Sequence, residues 1–278
     1  MIRLLFGLLV VMFLTGCNNP SEKKHFQKSY SLDIVDSVRV DYLGNFYLSD
    51  YSSERDEYLA KGHGDREFLF LDAEGNIVDS VRLKKDGPDA IAGVQVAGFV
   101  DGHLSILEGV KGLLVLGDEG KLDKRHEISG NYYYLNGYKG RPFFKLQEEL
   151  AYYRPERGDL PGEGLGEIMK SVYEKPILEV LNPRTGDFRS TMAFPSTSKF
   201  KDGEYHGWPF PTVIKQGDVW LLYFAREYQF YIYREKEGDL KLQQTVKMKV
   251  PDAISAEGVP FDKADQFEKS IGLSGVEG

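Results

Sequence analysis

The sequence predicts an all-β fold, and three observations support this. Short runs rich in Val, Ile, Leu, Phe and Tyr recur from residue 31 onward, and several alternate apolar with polar residues, as half-buried strands do. Turns that contain glycine separate many of these runs. Helical periodicity is nearly absent, and only residues 164–174 have the pattern of a short helix. The chain therefore reads as a series of strands joined by turns.

A similar turn recurs between pairs of apolar strands. Gly75, Gly120, Gly186 and Gly238 take the same place in these turns, where glycine adopts a positive φ without steric cost. Units of about 45 residues with four strands each are the signature of a β-propeller. We therefore predict a β-propeller-like array of four-stranded antiparallel blades, with an irregular β-sandwich as the alternative. About four blades are visible, at residues 31–84, 94–128, 131–193 and 209–249.

The first blade contains an ambiguity of register. Residues 34–40 nearly repeat residues 77–83, and this likeness alone would make 34–40 an outermost strand. However, the turn at Leu43-Gly44 leads directly into an apolar run at 46–50, as a turn between first and second strands does. We therefore predict an inner strand over 34–42 and a second strand over 46–50.

The lengths of the connections predict a binding face. The connections between third and fourth strands are short. Those between first and second strands are short as well, at 43–44, 101–102, Lys139-Gly140 and 216–217, and the third of them makes 142–146 the second strand of its blade. The long connections are the second-to-third ones, at 51–66 and 147–176, and the fourth-to-first ones, at 84–94 and 194–209. In a propeller these two classes emerge on one side, which we call the long-loop face. Because binding residues concentrate on loops held by a rigid scaffold, we expect the ligand there.

The N-terminus has the pattern of an export signal. Arg3 precedes an apolar run that ends in Leu14-Thr15-Gly16-Cys17. A cysteine directly after Leu-x-Gly resembles a bacterial lipobox, which would make Cys17 the lipidated first residue of the mature chain. A plain signal peptide or a short transmembrane anchor is the alternative. The predicted regions are a signal peptide at 1–16, a flexible tether at 17–30, the propeller at 31–249 and a polar tail at 250–278.

Charge and composition exclude several classes of partner. The formal net charge of −8 argues against nucleic acid and against a polybasic membrane patch. Cys17 is the only cysteine, which leaves no intrachain disulfide and no cysteine-ligated metal site. No second apolar run approaches the roughly 20 residues that span a bilayer. We expect attachment to the cell envelope through lipid on Cys17 and, because Asn18 follows, at the outer membrane.

Catalytic and metal-binding motifs are not found in the sequence. None of the five histidines has a partner at metal-ligand spacing, and the Ser196-x-x-Lys199 motif lacks the companion motifs of its enzyme class. We therefore expect no catalytic residues, no metal and no cofactor. The leading interpretation is a binding module for a glycan, peptide or protein partner. The alternative is an exported hydrolase or lyase that uses Asp65, Glu156 and His206 on the long-loop face.

The predicted loop at 147–176 is the richest candidate for ligand recognition. It contains aromatic faces, guanidinium groups and a carboxylate within six consecutive residues, a combination that suits sugars or peptides. His206 and Trp208 lie at the end of another predicted long loop. Tyrosines also fill blade cores and seams, which is the alternative role for the aromatic residues. The candidate ligand-binding residues are Tyr152, Tyr153, Arg154, Arg157, His206 and Trp208.

Two local motifs add a family resemblance to the lipobox and the strand-turn pattern. Residues 70–75 form a turn of the type F/V-D-x-x-G, and Asp86-Gly87-Pro88 follows the last strand of the first blade. In these features the chain resembles a family of propeller-like lipoproteins of the Bacteroidota, a six-bladed-propeller-like domain of unknown function. The resemblance implies a propeller and an envelope location, and it supplies no catalytic residues. Because that family carries further blades, we expect this chain to form an incomplete ring with exposed blade edges.

Overall fold

The computed structural model describes most of the chain after residue 32. The described residues are 33–62, 64, 66–87, 90–91, 93–108, 112–117, 120–127, 132–133, 141–157, 164–248 and 257–270, with the backbone alone at 132, 133 and 157. The chain divides into a unit of residues 1–37 and a unit of residues 38–278, and every described strand lies in the second.

Four antiparallel four-stranded sheets form a four-blade, β-propeller-like ring, which confirms the predicted fold class. Within each blade, neighbouring strands pair in chain order. Blade 1 contains β1 (Tyr47–Ser52), β2 (Glu57–Lys61), β3 (Glu67–Leu71) and β4 (Ile77–Arg82). Blade 2 contains β5 (Val94–Val100), β6 (His103–Glu108), β7 (Gly112–Leu116) and β8 (Leu122–His126).

Blades 3 and 4 follow the same plan, with one small additional sheet. A two-stranded sheet pairs β9 (Tyr132–Tyr133) with β12 (Glu156–Arg157). Blade 3 contains β10 (Phe143–Leu146), β11 (Glu149–Tyr153), β13 (Leu178–Leu181) and β14 (Phe188–Thr191). Blade 4 contains β15 (Pro211–Gln216), β16 (Val219–Phe224), β17 (Gln229–Lys236) and β18 (Asp239–Lys247).

Three apolar seams hold neighbouring blades together. The blade 1–2 seam includes Leu59 and Phe70 facing Phe99 and Ile106. The blade 2–3 seam includes Leu107, Leu113, Phe143 and Tyr152. The blade 3–4 seam is the largest and includes Phe144, Tyr153, Trp220, Phe224 and Tyr231. Among the described residues, none of the apolar clusters combines blade 4 with blade 1, and the incomplete ring stays a prediction.

The first blade differs from the prediction, because residues 33–46 contain no strand. Its inner strand is β1, and β2 lies inside the predicted long loop at 51–66. Apolar residues of the segment 38–46 cover the face of blade 1 that points away from blade 2 instead of pairing in its sheet. Val40, Tyr42 and Phe46 pack there against Ala60, Leu69 and Leu71.

The third blade is displaced from the prediction by one strand. The predicted second strand at 142–146 is the inner strand β10, and β11 occupies the start of the predicted loop at 147–176. Gln147, with φ of +55°, lies in the short turn that joins the two strands. The turn predicted at Lys139-Gly140 lies outside the described residues.

Two helices lie next to the strands of blades 3 and 4. The predicted helix is confirmed as α1 (Leu165–Glu174), and a short 3-10 turn (Phe261–Lys263) leads into α2 (Ala264–Ser270). A Cβ on Gly166 would lie 2.0 Å from the carbonyl oxygen of Phe261, so a glycine is required where the tail crosses α1. In the described part of the chain, no helix has the length and apolar character needed to span a bilayer.

Candidate functional site

The structure has long connections on one side of the blades and short turns on the other. The residue ranges of the long connections differ in part from those predicted. The long-loop face carries the second-to-third and fourth-to-first connections, which include the described parts of 83–93 and 154–177 and the whole of 192–210. The tail at 257–270 packs there through a bridge between Tyr205 and Val259. The opposite side carries the short hairpin turns, and we call it the short-turn face.

Two of the candidate residues, Tyr152 and Tyr153, lie in β11 and are buried. Because successive side chains of a strand point to opposite faces, Tyr152 packs in the blade 2–3 seam and Tyr153 in the blade 3–4 seam. The Tyr152 hydroxyl donates to Glu179 Oε1 at 2.5 Å, and the Tyr153 hydroxyl accepts from the backbone N–H of Val213 at 2.8 Å. Burial raises the pKa of Tyr153 to about 12. Both rings therefore belong to the blade packing and not to a surface.

Arg154 is held in an ion-pair network at the start of the connection to α1. Its Nη2 lies 2.5 Å from Glu156 Oε1, and its Nε donates to the carbonyl of Pro176 at 2.8 Å. Lys175 Nζ contacts the other oxygen of Glu156 at 2.9 Å. Burial alone would raise the pKa of Glu156, but the two cations more than offset this and hold it below its ordinary value. The guanidinium of Arg154 thus already has its carboxylate partner, and Arg157 pairs through its backbone with Tyr132.

His206 lies in a buried position of the connection 192–210. Its Nε2 is 2.8 Å from Asp202 Oδ2, its backbone N–H donates to the Tyr173 hydroxyl at 3.3 Å, and its Nδ1 has no hydrogen-bond partner among the described residues. Trp208, two residues later, is half-buried and packs against the blade 3–4 core.

Charged groups surround the loop that carries His206. The Tyr205 hydroxyl donates to the buried Glu268 Oε1 of α2 at 2.6 Å, and Arg226 Nη1 donates to the carbonyl of His206 at 3.4 Å. Burial, and then the bond to Glu268, raise the pKa of Tyr205 far above its ordinary value. The hydroxyl therefore stays protonated and acts as a donor that fixes the tail to this loop.

The residues of the alternative enzymatic hypothesis are not joined by the described contacts. Glu156 is bonded to Arg154 and Lys175, whereas the imidazole of His206 is bonded to Asp202. Asp65 lies outside the described residues. No hydrogen bond between described residues links Glu156 with His206.

A cavity of about 370 Å³ lies on the short-turn face, where turns of blades 1, 2 and 3 meet. Side chains of Phe99, Leu113 and Phe143 supply apolar lining. Acidic side chains, basic side chains and one histidine surround this lining. They include Glu54, His126, Arg141, Lys145, Glu148 and Arg184. Of the candidate ligand-binding residues whose side chains the structure describes, none lines this cavity.

One charged group of the cavity, Arg141, pairs with a buried carboxylate of blade 1, Asp50. Asp50, on β1, accepts from the backbone N–H of Phe99 at 2.8 Å and lies 3.3 Å from Arg141 Nε. Burial raises the pKa of Asp50, and the bonds to Phe99 and Arg141 offset only part of this effect. Arg141 keeps about half of its side chain exposed, at 53%. The sequence offers no signal for this site, because its members come from turns of three separate blades.

Comparisons with known proteins show partial likeness in fold. A candidate exported protein of Bacteroides fragilis matches over 76% of this chain and 52% of its own, at 14% identity and a TM-score of 0.43. An auxiliary nutrient binding protein of Bacteroides ovatus matches over 79% and 44%, at 13% identity and a TM-score of 0.42. The β-propeller domain of Cps50 (Swd1) from Myceliophteria thermophila matches over 78% of this chain and 74% of its own, at 11% identity and a TM-score of 0.40.

The match to the two Bacteroides structures is partial in length as well. The chain spans about half of the length of each, at 52% and 44%. No protein-family model matches the sequence, and no curated protein matches it significantly.

Proposed function

We propose that the protein is an envelope-anchored binding module that takes a short peptide in the cavity on the short-turn face. The observation that carries this proposal is the cavity itself. Its volume of about 370 Å³ falls within the roughly 300–1,000 Å³ typical of ligand sites. An apolar lining ringed by charges of both signs suits a ligand with apolar side chains and both a cationic and an anionic group.

The charges of the cavity leave capacity for a ligand. Lys145 Nζ is 3.6 Å from Asp101 Oδ1, and both side chains are largely exposed, at 64% and 71%. An exposed pair of this kind contributes only about 0–1 kcal/mol, so a ligand carboxylate can replace Asp101 at little cost. Arg141, in contrast, is paired with the buried Asp50, but its side chain is 53% exposed and retains N–H donors for a second acceptor.

Arrays of short peptides and of glycans, probed with the full chain in detergent, test this proposal. We expect peptide binding, and we expect Lys145→Ala and Arg184→Ala each to weaken it by about 1 kcal/mol or more. The matched control is Lys241→Ala, which removes an exposed lysine of blade 4 outside the cavity. Binding of glycans alone would reject a peptide ligand, and a loss of binding in Trp208→Ala alone would move the site to the long-loop face.

Anchoring through Cys17 is the second part of the proposal and has its own test. Labelling of cells with an alkyne fatty acid is expected to tag the wild-type protein and to miss Cys17→Ala. Because each buried methylene contributes about 0.8 kcal/mol, loss of the acyl chains should also release the variant from the membrane fraction. Equal labelling of the two proteins would contradict the lipid anchor.

A further inference from the structure

We propose that Asp202, Glu204 and His206 form a binding site for a divalent transition-metal ion on the long-loop face. The site is separate from the short-turn cavity and requires no ligand there. Two carboxylates and one imidazole are a mixed set of oxygen and nitrogen donors, which suits ions such as Zn²⁺ or Mn²⁺.

The three side chains are close enough to share one ion. One donor atom from each residue lies within 4.8 Å of the other two. Donor atoms about 2.0–2.2 Å from a common ion lie at most about 4.4 Å apart. The difference is a few tenths of an ångström, and the exposed carboxylates of Asp202 and Glu204 can close it by rotation.

The loop holds the three residues together before any ion binds. Asp202 ends a 3-10 turn (Lys199–Lys201), and its Oδ1 accepts from the backbone N–H of Glu204 at 2.9 Å. Between Glu204 and His206, Tyr205 pairs with the backbone of Val259 through bonds of 2.7 and 3.0 Å. Hydrogen bonds therefore hold the loop backbone that carries the three side chains.

His206 supplies an independent observation, because Nδ1 of its buried side chain has no hydrogen-bond partner among the described residues. The side chain is only 6% exposed, and Nδ1 makes no hydrogen bond to any described residue. A buried polar atom without a partner is uncommon and costs about 1–3 kcal/mol. An ion compensates for this cost where Nδ1 is the ring nitrogen that binds it.

The orientation of the ring also fits an ion at this position. A Cβ on Gly258 would lie 2.6 Å from His206 Cε1 and 2.5 Å from Glu204 Oε2. The Cε1 edge, with a nitrogen on either side, therefore lies beside the Glu204 carboxylate. Asp202 approaches the same ring at Nε2 with a distance of 2.8 Å. Both carboxylates are exposed, so an ion has a route from solvent to the ring.

The test is a metal titration of the full chain in detergent, after removal of metals with a chelator. We expect one Zn²⁺ per chain by calorimetry and one Mn²⁺ by electron paramagnetic resonance. Asp202→Asn and Glu204→Gln should each weaken binding by about ten-fold or more. Both positions are exposed, so these variants should fold as the wild type does, which thermal unfolding verifies.

Two further measurements address the imidazole. Cu²⁺ bound to the wild type should show nitrogen hyperfine splitting in its resonance spectrum, and His206→Gln should lose it. The matched control is His103→Gln, which removes an exposed histidine of β6 and should leave both the affinity and the splitting unchanged. Undiminished binding in the Asp202→Asn/Glu204→Gln double variant would overturn the site. Equal affinity for Mg²⁺ and Zn²⁺ would overturn its assignment to a transition metal.

Discussion

Replacement of Trp220 by alanine is expected to destabilise the fold by about 3–5 kcal/mol. Trp220 is fully buried in the blade 3–4 seam, where its ring centroid lies 5.3 Å from that of Phe144. Its Nε1 donates to Glu235 Oε1 at 3.0 Å, and Lys215 Nζ lies 5.3 Å from the ring. Truncation leaves a cavity in the seam and removes the donor to Glu235. The free energy of unfolding from urea titration, followed by circular dichroism, measures the effect.

The matched control for this change is Tyr47→Ala. Tyr47 is also an aromatic residue of a blade, but it is 72% exposed. Its removal should change the free energy of unfolding by less than about 0.5 kcal/mol. Similar losses in the two variants would show that the blade 3–4 seam does not dominate stability.

The second large effect is expected for Glu156→Gln, with a loss of about 3 kcal/mol. The change removes the carboxylate charge and leaves Arg154, whose side chain is only 11% exposed, without a neutralising partner. Lys175 loses the same partner but remains 43% exposed, so water solvates it at less cost. The difference should be visible in the denaturant midpoint at neutral pH.

The pH dependence of stability provides a second readout for Glu156. Its pKa in the folded state lies below the ordinary value of 4.5, so the fold gains stability from this group above about pH 4.5. That contribution is lost as the pH falls through the lower pKa of the folded state, where the carboxylate takes up a proton. The Gln variant should show a smaller decrease in stability over this acid range than the wild type.

Asp218→Asn is the control for the removal of one carboxylate charge. Asp218 lies 2.5 Å from Arg234 Nη1, but the two side chains are 66% and 49% exposed. Such surface pairs contribute only about 0–1 kcal/mol. If the two variants lost equal stability, burial would not be the cause of the Glu156 effect.

Blades 2 and 4 could be predicted from the sequence more reliably than blades 1 and 3. In blade 4, β16 alternates half-buried and buried residues along its whole length, and short turns separate it from β15 and β17. In blade 1, the run 38–46 has the composition of a strand, yet it packs across the face of the sheet. The apolar composition of this segment predicts that it is buried. It does not distinguish a strand paired at the edge of the sheet from a segment packed on the face of the sheet.

The candidate site was harder to predict for a related reason. Tyr152 and Tyr153 are adjacent in sequence, and their opposite orientations in β11 bury both in seams. An exposed loop would have placed the same residues on a surface. The cluster of Asp202, Glu204 and His206 did carry a signal, because alternate residues of one short loop bring two acidic groups and an imidazole together. This Asp-x-Glu-x-His spacing matches none of the common metal-binding motifs, so those motifs do not reveal it.

The blade-to-blade seams differ in size, and this difference predicts unequal local stability along the propeller. In an array whose units contact only their neighbours, each unit draws stability from its own strands and from its interfaces. In the described part of the chain, blade 1 shares one seam with blade 2 and is covered on its other face by 38–46. We therefore expect local opening to begin at this cover. Removal of this cover would expose Leu69 and Leu71, whereas the larger blade 3–4 seam contains no residue of 38–46.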